Sequence, residues 1–349
     1  MIRSLRLVDF RCFEALSLEL LPKQAVFVGG NAQGKTSLLE AICVLVRLHS
    51  PRTHRLEQLQ RFAQSGFGVA GECWGEERRV SRSPDGIEMR VQGEGVDSQS
   101  DYLASGGLLV WMGNEDLELV RGPGEVRRRF LDFVATQLEG TYCQDLTRYR
   151  RALRARNLLL KDRRPDEGQI SAYTEILIEH GEALQEVRAR LVGQLNEPVR
   201  EAHRAISGAS ESVSLEYRGA GAHDLRAAYE QAAERERRQG NTVVGPHRDD
   251  LILKVNALPA ADYGSEGQQR TLALALKLGQ GALLEGEGGN SPIYLIDDIF
   301  GELDTARRNA LMESLPAGAQ KLITTTSLEW LGRQAPPLFR VKSGTVSAE

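Results

Sequence analysis

The sequence of 349 residues is long enough for a large core or for two lobes, and two are expected, since single cores stop growing at about 250–300 residues. With 41% hydrophobic and 26% charged residues it reads as a globular chain, and a net charge of -4 gives no bulk argument for a polyanionic partner. Cys12, Cys43, Cys73 and Cys143 stand far apart without Cys-x-x-Cys or Cys/His spacing, which argues against a zinc site or a disulfide framework and fits a reducing cytosol.

The N-terminal MIRSLRLVDFRCFE carries charges throughout, without an apolar leader, and the longest apolar stretches, such as GGLLVWMG, fall far short of a membrane span. A cytoplasmic protein with no membrane partner is expected. Short strands are predicted first: SLRLVDF, then ALSLEL with alternating Leu16, Leu18 and Leu20, then AVFV. Residues 34–48 predict a helix with Leu38, Leu39, Ile42 and Val46 on one face. A β pattern returns at 67–92, with a Pro84-Asp85-Gly86 turn. From about 115 to 206 the text is helical, broken near Asp162 to Gly168, and 224–240 predicts an exposed helix closed by Gly240. Strands resume in LILKV, PIYLID and QKLITTT. The pattern is an α/β lobe interrupted by a helical insertion.

Between the AVFV strand and the next helix lies Gly29-x-x-x-x-Gly34-Lys35-Thr36. Glycines let the backbone wrap phosphates, a lysine supplies a point charge, and a hydroxyl completes a magnesium shell. Such a match arises by chance on the order of once in a hundred chains of this length. Gly29, Gly30, Asn31, Ala32, Gln33, Gly34, Lys35, Thr36 and Ser37 are therefore expected to hold a nucleoside triphosphate with Mg2+, which the resemblance described below implies is ATP. Ala32 is expected to be tolerated provided its φ is negative. The strand PIYLID ends in Asp297-Asp298, assigned to the metal (with Thr36) and to the attacking water, so Asp298 and Lys35 are the catalytic candidates.

Downstream, Gly264-Ser265-Glu266-Gly267-Gln268-Gln269 opens an apolar helix, with Ser265 either capping that helix or reaching an anion. The segment resembles the signature motif of the ABC-type ATPases, and GELD at 301–304 resembles their D-loop. In that family the signature caps the triphosphate held by a second copy. The resemblance implies that Ser265, Gly267, Gln268 and Asp304 complete a nucleotide site in trans and that the chain dimerises with ATP. It also implies a place near the phosphates for Arg11, the alternative being a surface ion pair. Asp298 stands where transporter subunits carry glutamate, and Thr324-Thr325-Thr326-Ser327 where they carry histidine, so turnover below roughly ten per second is expected. A transporter ATPase subunit and a P-loop kinase are the competing readings.

LVDFRCFEALSLEL, GGNAQGKTSLLEAI, NEDLELVRGPGEVRRRFLD, GPHRDDL, GSEGQQRT and LIDDIFGELD together resemble the RecF family across nearly the whole chain. The implied fold is an ABC-type ATPase head with a mixed sheet, an inserted helical lobe and no long coiled coil. The bounds are 1–118 and 242–349 for the ATPase lobe and 119–241 for the arm. The resemblance also implies binding to double-stranded DNA or its junction with a single-stranded gap, partnership with RecR and RecO, and support of RecA loading. Residues 127–164 hold ten arginines and Lys161 against Asp132, Glu139, Asp145 and Asp162, an excess of seven positive charges in a chain of net -4. Arg148, Arg151, Arg154 and Arg156 are the DNA-binding candidates. For Gly245-Pro246-His247-Arg248-Asp249 a structural role joining the arm back to the ATPase sheet is preferred over support of the nucleotide site.

Overall fold

The computed structural model describes residues 1–19, 23–53, 55–162, 164, 166–208, 211–221, 224–331 and 336–349; Leu20 and Arg163, used above, lie outside them. Two compact units are formed. The first comprises Met1–Asp116, Glu201–Ala209 and Leu274–Glu349, the second Leu117–Arg200 and Ser210–Ala273.

In the first unit, the alternation of SLRLVDF makes β1 (Ser4–Phe10) a strand with Leu5 and Leu7 turned inward. It pairs antiparallel with β2 (Phe13–Glu19). Strands β4 (Phe67–Cys73), β5 (Glu76–Ser83), β6 (Gly86–Val91) and β7 (Glu94–Gly95) extend this sheet in the order β2-β1-β4-β5-β6-β7. A second kind of strand is apolar on both faces: β3 (Gln24–Val28), β8 (Leu109–Gly113), β12 (Ile293–Asp297) and β13 (Lys321–Thr325) are buried almost throughout. Such strands suit a parallel sheet covered on both sides. They build one with β14 (Leu338–Lys342), and the antiparallel hairpin to β15 (Thr345–Ala348) makes it mixed, in the order β15-β14-β3-β13-β12-β8.

Helix α1 (Lys35–Arg47) packs on strands of both sheets and is buried along nearly its whole length. This is why KTSLLEAICVLVR is apolar beyond the single stripe that a surface helix would need. Helices α2 (Gln99–Ala104) and α10 (Thr305–Ser314) belong to the same unit.

The second unit holds α3 (Glu118–Arg121), α4 (Gly124–Leu138), α5 (Tyr142–Leu160), α7 (Leu225–Gln239), α8 (Ala260–Tyr263) and most of α6 (Glu167–Ser207). Helix α9 (Glu266–Gly288) begins here. The break after Leu160 and the closure of α7 by Gly240, at φ 64, match the sequence reading. LILKV forms β10 (Asp250–Val255), but it pairs with β9 (Val213–Arg218) and β11 (Leu258–Pro259) in a separate three-stranded sheet. Alternation identifies a strand without naming its neighbour, so residues 250–255 looked like a continuation of the nucleotide-binding sheet. The outer backbone of β9 is taken up by α6: Asn196 exchanges two hydrogen bonds with Leu215, at 2.9 and 3.0 Å, and Arg200 donates to Val213 O at 3.1 Å.

GPHRDD is the polar hub of this second unit. Asp249, fully buried, accepts from Arg188 at 2.9 Å, Gln185 at 2.8 Å, Ala220 N at 2.8 Å and the Tyr217 hydroxyl. Arg188 also donates to Asp132 at 2.8 Å and to Pro246 O at 2.7 Å. Asp250 accepts both prongs of Arg127, at 2.7 and 2.9 Å. A buried charge this fully matched specifies one arrangement, because removing a single partner strands the others.

His247 belongs to the same hub. Its Nδ1 accepts from the Tyr149 hydroxyl at 2.7 Å and its Nε2–H donates to Thr242 O at 3.0 Å, the neutral tautomer this pairing requires. Burial depresses its pKa from 6.5 to about 4. Between those values the unfolded chain binds a proton that the folded one does not. Stability is therefore complete above pH 6.5 and declines as pH falls toward 4, by about 3 kcal/mol. In urea titrations across this window, His247→Gln is expected to flatten the decline.

Candidate functional site

The buried strand β3 runs into the phosphate loop, where backbone geometry explains the residues. A side chain at Gly29 would lie 2.3 Å from Val341 O, and Gly34 sits at φ 110, which favours glycine. Ala32, however, has φ 60. The expectation of a negative φ is corrected: the methyl is accommodated in the left-handed region, at a cost of about 1 kcal/mol.

The loop lines a cleft of about 280 Å³ with Asn31, Ala32, Gln33, Gly34, Lys35, Thr36 and Ser37, together with Cys12, Arg52 and Asp298. Lys35 Nζ donates to Gly29 O at 2.8 Å and Gly30 O at 2.9 Å. Burial lowers its pKa, and Asp298 and Asp297 pull it back up.

Parallel pairing sets Asp297 of β12 beside Thr324 of β13 on one side and Gly113 of β8 on the other. Asp297 Oδ1 accepts from Thr36 Oγ1 at 3.0 Å and from Thr324 Oγ1 at 2.6 Å. Burial raises its pKa, the two hydroxyls lower it, and Glu115 and Asp298 raise it further. Carboxylates crowded in this way favour a hard cation, and Thr36 with Asp297 supplies the oxygen donors that magnesium takes alongside phosphate. The residues fit that metal.

Asp298 follows in a left-handed conformation, φ 52, with its N–H on Thr324 Oγ1 at 3.1 Å and its Oδ1 accepting from Thr326 N at 3.1 Å. Thr324 through its hydroxyl and Thr326 through its backbone N–H thus orient the two aspartates. Glu115 is held by Trp111 Nε1 at 2.7 Å. Asp116 accepts from Gly113 N at 2.9 Å and pairs with Lys277 at 2.9 Å, although burial still pushes its pKa up to about 6.

Two expectations are corrected here. Arg11 is drawn away from the cleft lining into a two-pronged ion pair with the fully buried Glu40, at 2.8 Å for both bonds. An unpaired Glu40 would be costly, so α1 claims the guanidinium. Arg52 lines the cleft instead, and no motif surrounds it in SPRTHR to signal this. Arg156 is likewise not exposed. It is 3% accessible, paired with Glu236 at 2.7 Å and bonded to Thr174 and Thr242 at 2.8 Å each.

Arg148, Arg151 and Arg154 do lie on the exposed face of α5, and among the described residues no acid pairs with them. Arg127, Arg129 and Arg150, counted in the same basic run, are matched by Asp250, Glu125 and Asp132.

The signature segment belongs to the second unit. Ser265 and Gln268 form a reciprocal cap: Gln268 N donates to Ser265 Oγ at 3.3 Å, and Ser265 N to Gln268 Oε1 at 2.8 Å. Gln268 Nε2 donates to Glu211 at 2.7 Å, and Gln269 Nε2 to Ala260 O and Ala261 O at 2.9 and 3.2 Å. Gly267 lies in the first turn of α9. Asp304 caps α10, accepting from Arg307 N at 2.9 Å.

A mixed sheet wrapped on a buried helix, a phosphate loop bonded through threonine to a strand-end aspartate, and a capped signature helix define an ABC-type ATPase head. Residues 4–108 match the AAA domain family. A structure described as the Smc head bound to the C-winged helix domain of ScpA superposes with a TM-score of 0.56 at 15% identity, a likeness of fold. A structure described as the recombination mediator protein RecF-ATPrS in the RecFOR pathway superposes with a TM-score of 0.89 at 28% identity, over 100% of this chain and 98% of that one. "DNA replication and repair protein RecF" of Shouchella clausii (strain KSM-K16) is 35% identical over 367 residues, 99% of this chain and 98% of its own. Its namesake in Synechococcus sp. (strain JA-3-3Ab) is 37% identical over 376 residues, with 99% and 97% covered. The chain belongs to the RecF family.

Ala32→Gly should relieve the left-handed methyl, offset in part by the extra freedom of glycine in the unfolded chain. A gain of about 0.5 to 1 kcal/mol in urea unfolding is expected, with ATP affinity equal or higher.

Proposed function

We propose that this chain is an ATP-gated DNA clamp of recombinational repair, in which two copies pair across ATP. The observation that carries the reading is the division of labour between its two units. One holds a phosphate cleft with a metal-suited threonine and aspartate, and the other presents a rigid, capped signature turn.

In this reading the loop amides cradle the phosphates and Lys35 neutralises them. Thr36 and Asp297 hold Mg2+, which spreads the charge of the transferred phosphoryl group when bound. Asp298 orients water and accepts its proton. Its short side chain is already engaged by Thr326 N, which supports slow turnover suited to a switch rather than a pump. Ser265, Gly267, Gln268 and Asp304 complete the site of the other copy; Gln268 acts indirectly, by fixing Ser265.

The unpaired row Arg148, Arg151 and Arg154 supports double-stranded DNA, or its junction with a single strand, as the polyanion. Like charges three residues apart destabilise a helix unless something neutralises them. Partnership with RecO and RecR, and through them support of RecA loading, complete the proposal. It draws on a family relative described as a mediator of the RecFOR pathway.

Sedimentation with ATP and Mg2+ tests the clamp. Lys35→Ala should lose nucleotide binding altogether, whereas Ser265→Ala should bind ATP in dilute solution and fail to self-associate. A wild-type chain that stays monomeric with ATP and Mg2+, with and without duplex DNA, would refute it. For the arginine row, Arg148→Ala/Arg151→Ala/Arg154→Ala should reduce the slope of log affinity for duplex DNA against log salt by up to about 3. An unchanged slope would remove the row from the DNA site.

A further inference from the structure

We infer that the hairpin turn Ser343-Gly344 braces the phosphate loop, and that Gln33 is the positioning residue through which it does so. This rests on the nucleotide-binding role proposed above and assigns the Gln33 side chain to the protein rather than to the phosphates. Gln33 Oε1 accepts from Ser343 N at 2.8 Å and from Ser343 Oγ at 3.3 Å, and Gln33 O accepts from Gly344 N at 3.2 Å. Its Nε2 donates back to Asn31 O at 3.3 Å. Both ends of the side-chain amide are thus engaged within the protein.

The loop needs such a hold. Ala32 at φ 60 and Gly34 at φ 110 flank Gln33, and left-handed residues this close together persist only where their surroundings over-determine them. The turn can supply the hold because it is itself fixed. Strands β14 and β15 pair from Phe339 with Ala348 to Lys342 with Thr345, which leaves two residues in the turn, both at positive φ: Ser343 at 48 and Gly344 at 76. Thr345 Oγ1 donates to Lys342 O at 2.6 Å across the turn, and Glu349 N donates to Leu338 O at 2.9 Å at the far end.

Gly344 wedges this turn against a second hairpin. A side chain at Gly344 would lie 2.6 Å from Cys12 O, in the turn between β1 and β2, and one at Gly34 would lie 2.6 Å from Cys12 Sγ and 3.1 Å from Phe13. The loop is caught between one turn from each sheet, and β14 also runs beside β3, the strand that feeds it. A loop held in its binding shape before the anion arrives gives up less entropy on binding, so its affinity rises without a further contact to the ligand. Ser343 is exposed and Gln33 half-buried, so cutting the link between them leaves the core packing untouched.

The test measures, on the full chain, ATP binding by equilibrium dialysis where the chain is monomeric, urea unfolding without nucleotide, and hydrogen exchange of the Ser343 and Gly344 amides. Gln33→Met keeps the side-chain length and loses the acceptor, whereas Gly344→Ala drives the turn off Cys12 O without altering the loop. Each should weaken ATP binding about fivefold to tenfold, the range that one or two hydrogen bonds cover, with the unfolding midpoint of Gln33→Met near that of wild type. Exchange at Ser343 and Gly344 should stay slow in the wild type with and without ATP. Wild-type ATP affinity in either folded variant overturns the inference. So does faster exchange at Ser343 once ATP binds, because Gln33 would then be leaving the turn for the phosphates. Gln33→Met and the exchange rates decide the matter even where Gly344→Ala does not fold. If wild type itself binds no ATP, the nucleotide-binding role and the inference fall together.

Discussion

The hydrogen bond from Thr36 to Asp297 is the contact on which the nucleotide-binding unit depends. It joins the first residue pair of a helix to the end of a strand more than 250 positions later, and it does so only because β3, β13 and β12 lie side by side in register. Thr324 on the intervening strand shares the same carboxylate oxygen, so Asp297 is fixed from both sides. The metal-suited donors are thereby organised by sheet geometry before any cation is considered. A one-residue slip between β12 and β13 would turn Asp297 to the opposite face and dismantle the cleft.

Motifs carried by contiguous backbone were legible in the sequence. The phosphate loop, the Asp297-Asp298 strand end and the signature turn each encode their conformation locally, through glycine, hydroxyl and carboxylate at fixed offsets. Asp224 and Gly240 likewise bound α7 as local rules require. What was hidden depends on partners distant in the chain. Arg11 and Arg52 look equivalent in sequence, yet Glu40 holds Arg11 with two prongs at 2.8 Å, while Arg52, 3.9 Å from the same carboxylate, lines the cleft. Arg156 sits among exposed arginines at helical spacing, but Glu236, 80 positions away, draws it inside. Ala32 shows the remaining limit, since sequence named the residue and only backbone torsions gave its cost.

The hub around Asp249 and Arg188 does for the second unit what Asp297 does for the first. Both use a buried carboxylate to collect donors from several elements, but Asp249 is satisfied entirely by internal donors, including a backbone amide and a tyrosine hydroxyl. Asp297 keeps crowded carboxylate neighbours that raise its proton affinity. Folding alone completes the first carboxylate, whereas the second keeps two acidic neighbours, Glu115 and Asp298, that suit it to a cation.

The small sheet of the second unit ends in a strand whose outer amides and carbonyls would ordinarily invite a stranger's backbone. Asn196 takes up the Leu215 amide and carbonyl and Arg200 the Val213 carbonyl from the flank of α6, which breaks up the edge that another chain could zip onto. Covering these groups closes a cheap route to association that needs no nucleotide. Loss of these two side chains would be felt first as precipitation at high concentration, well before any loss of nucleotide affinity.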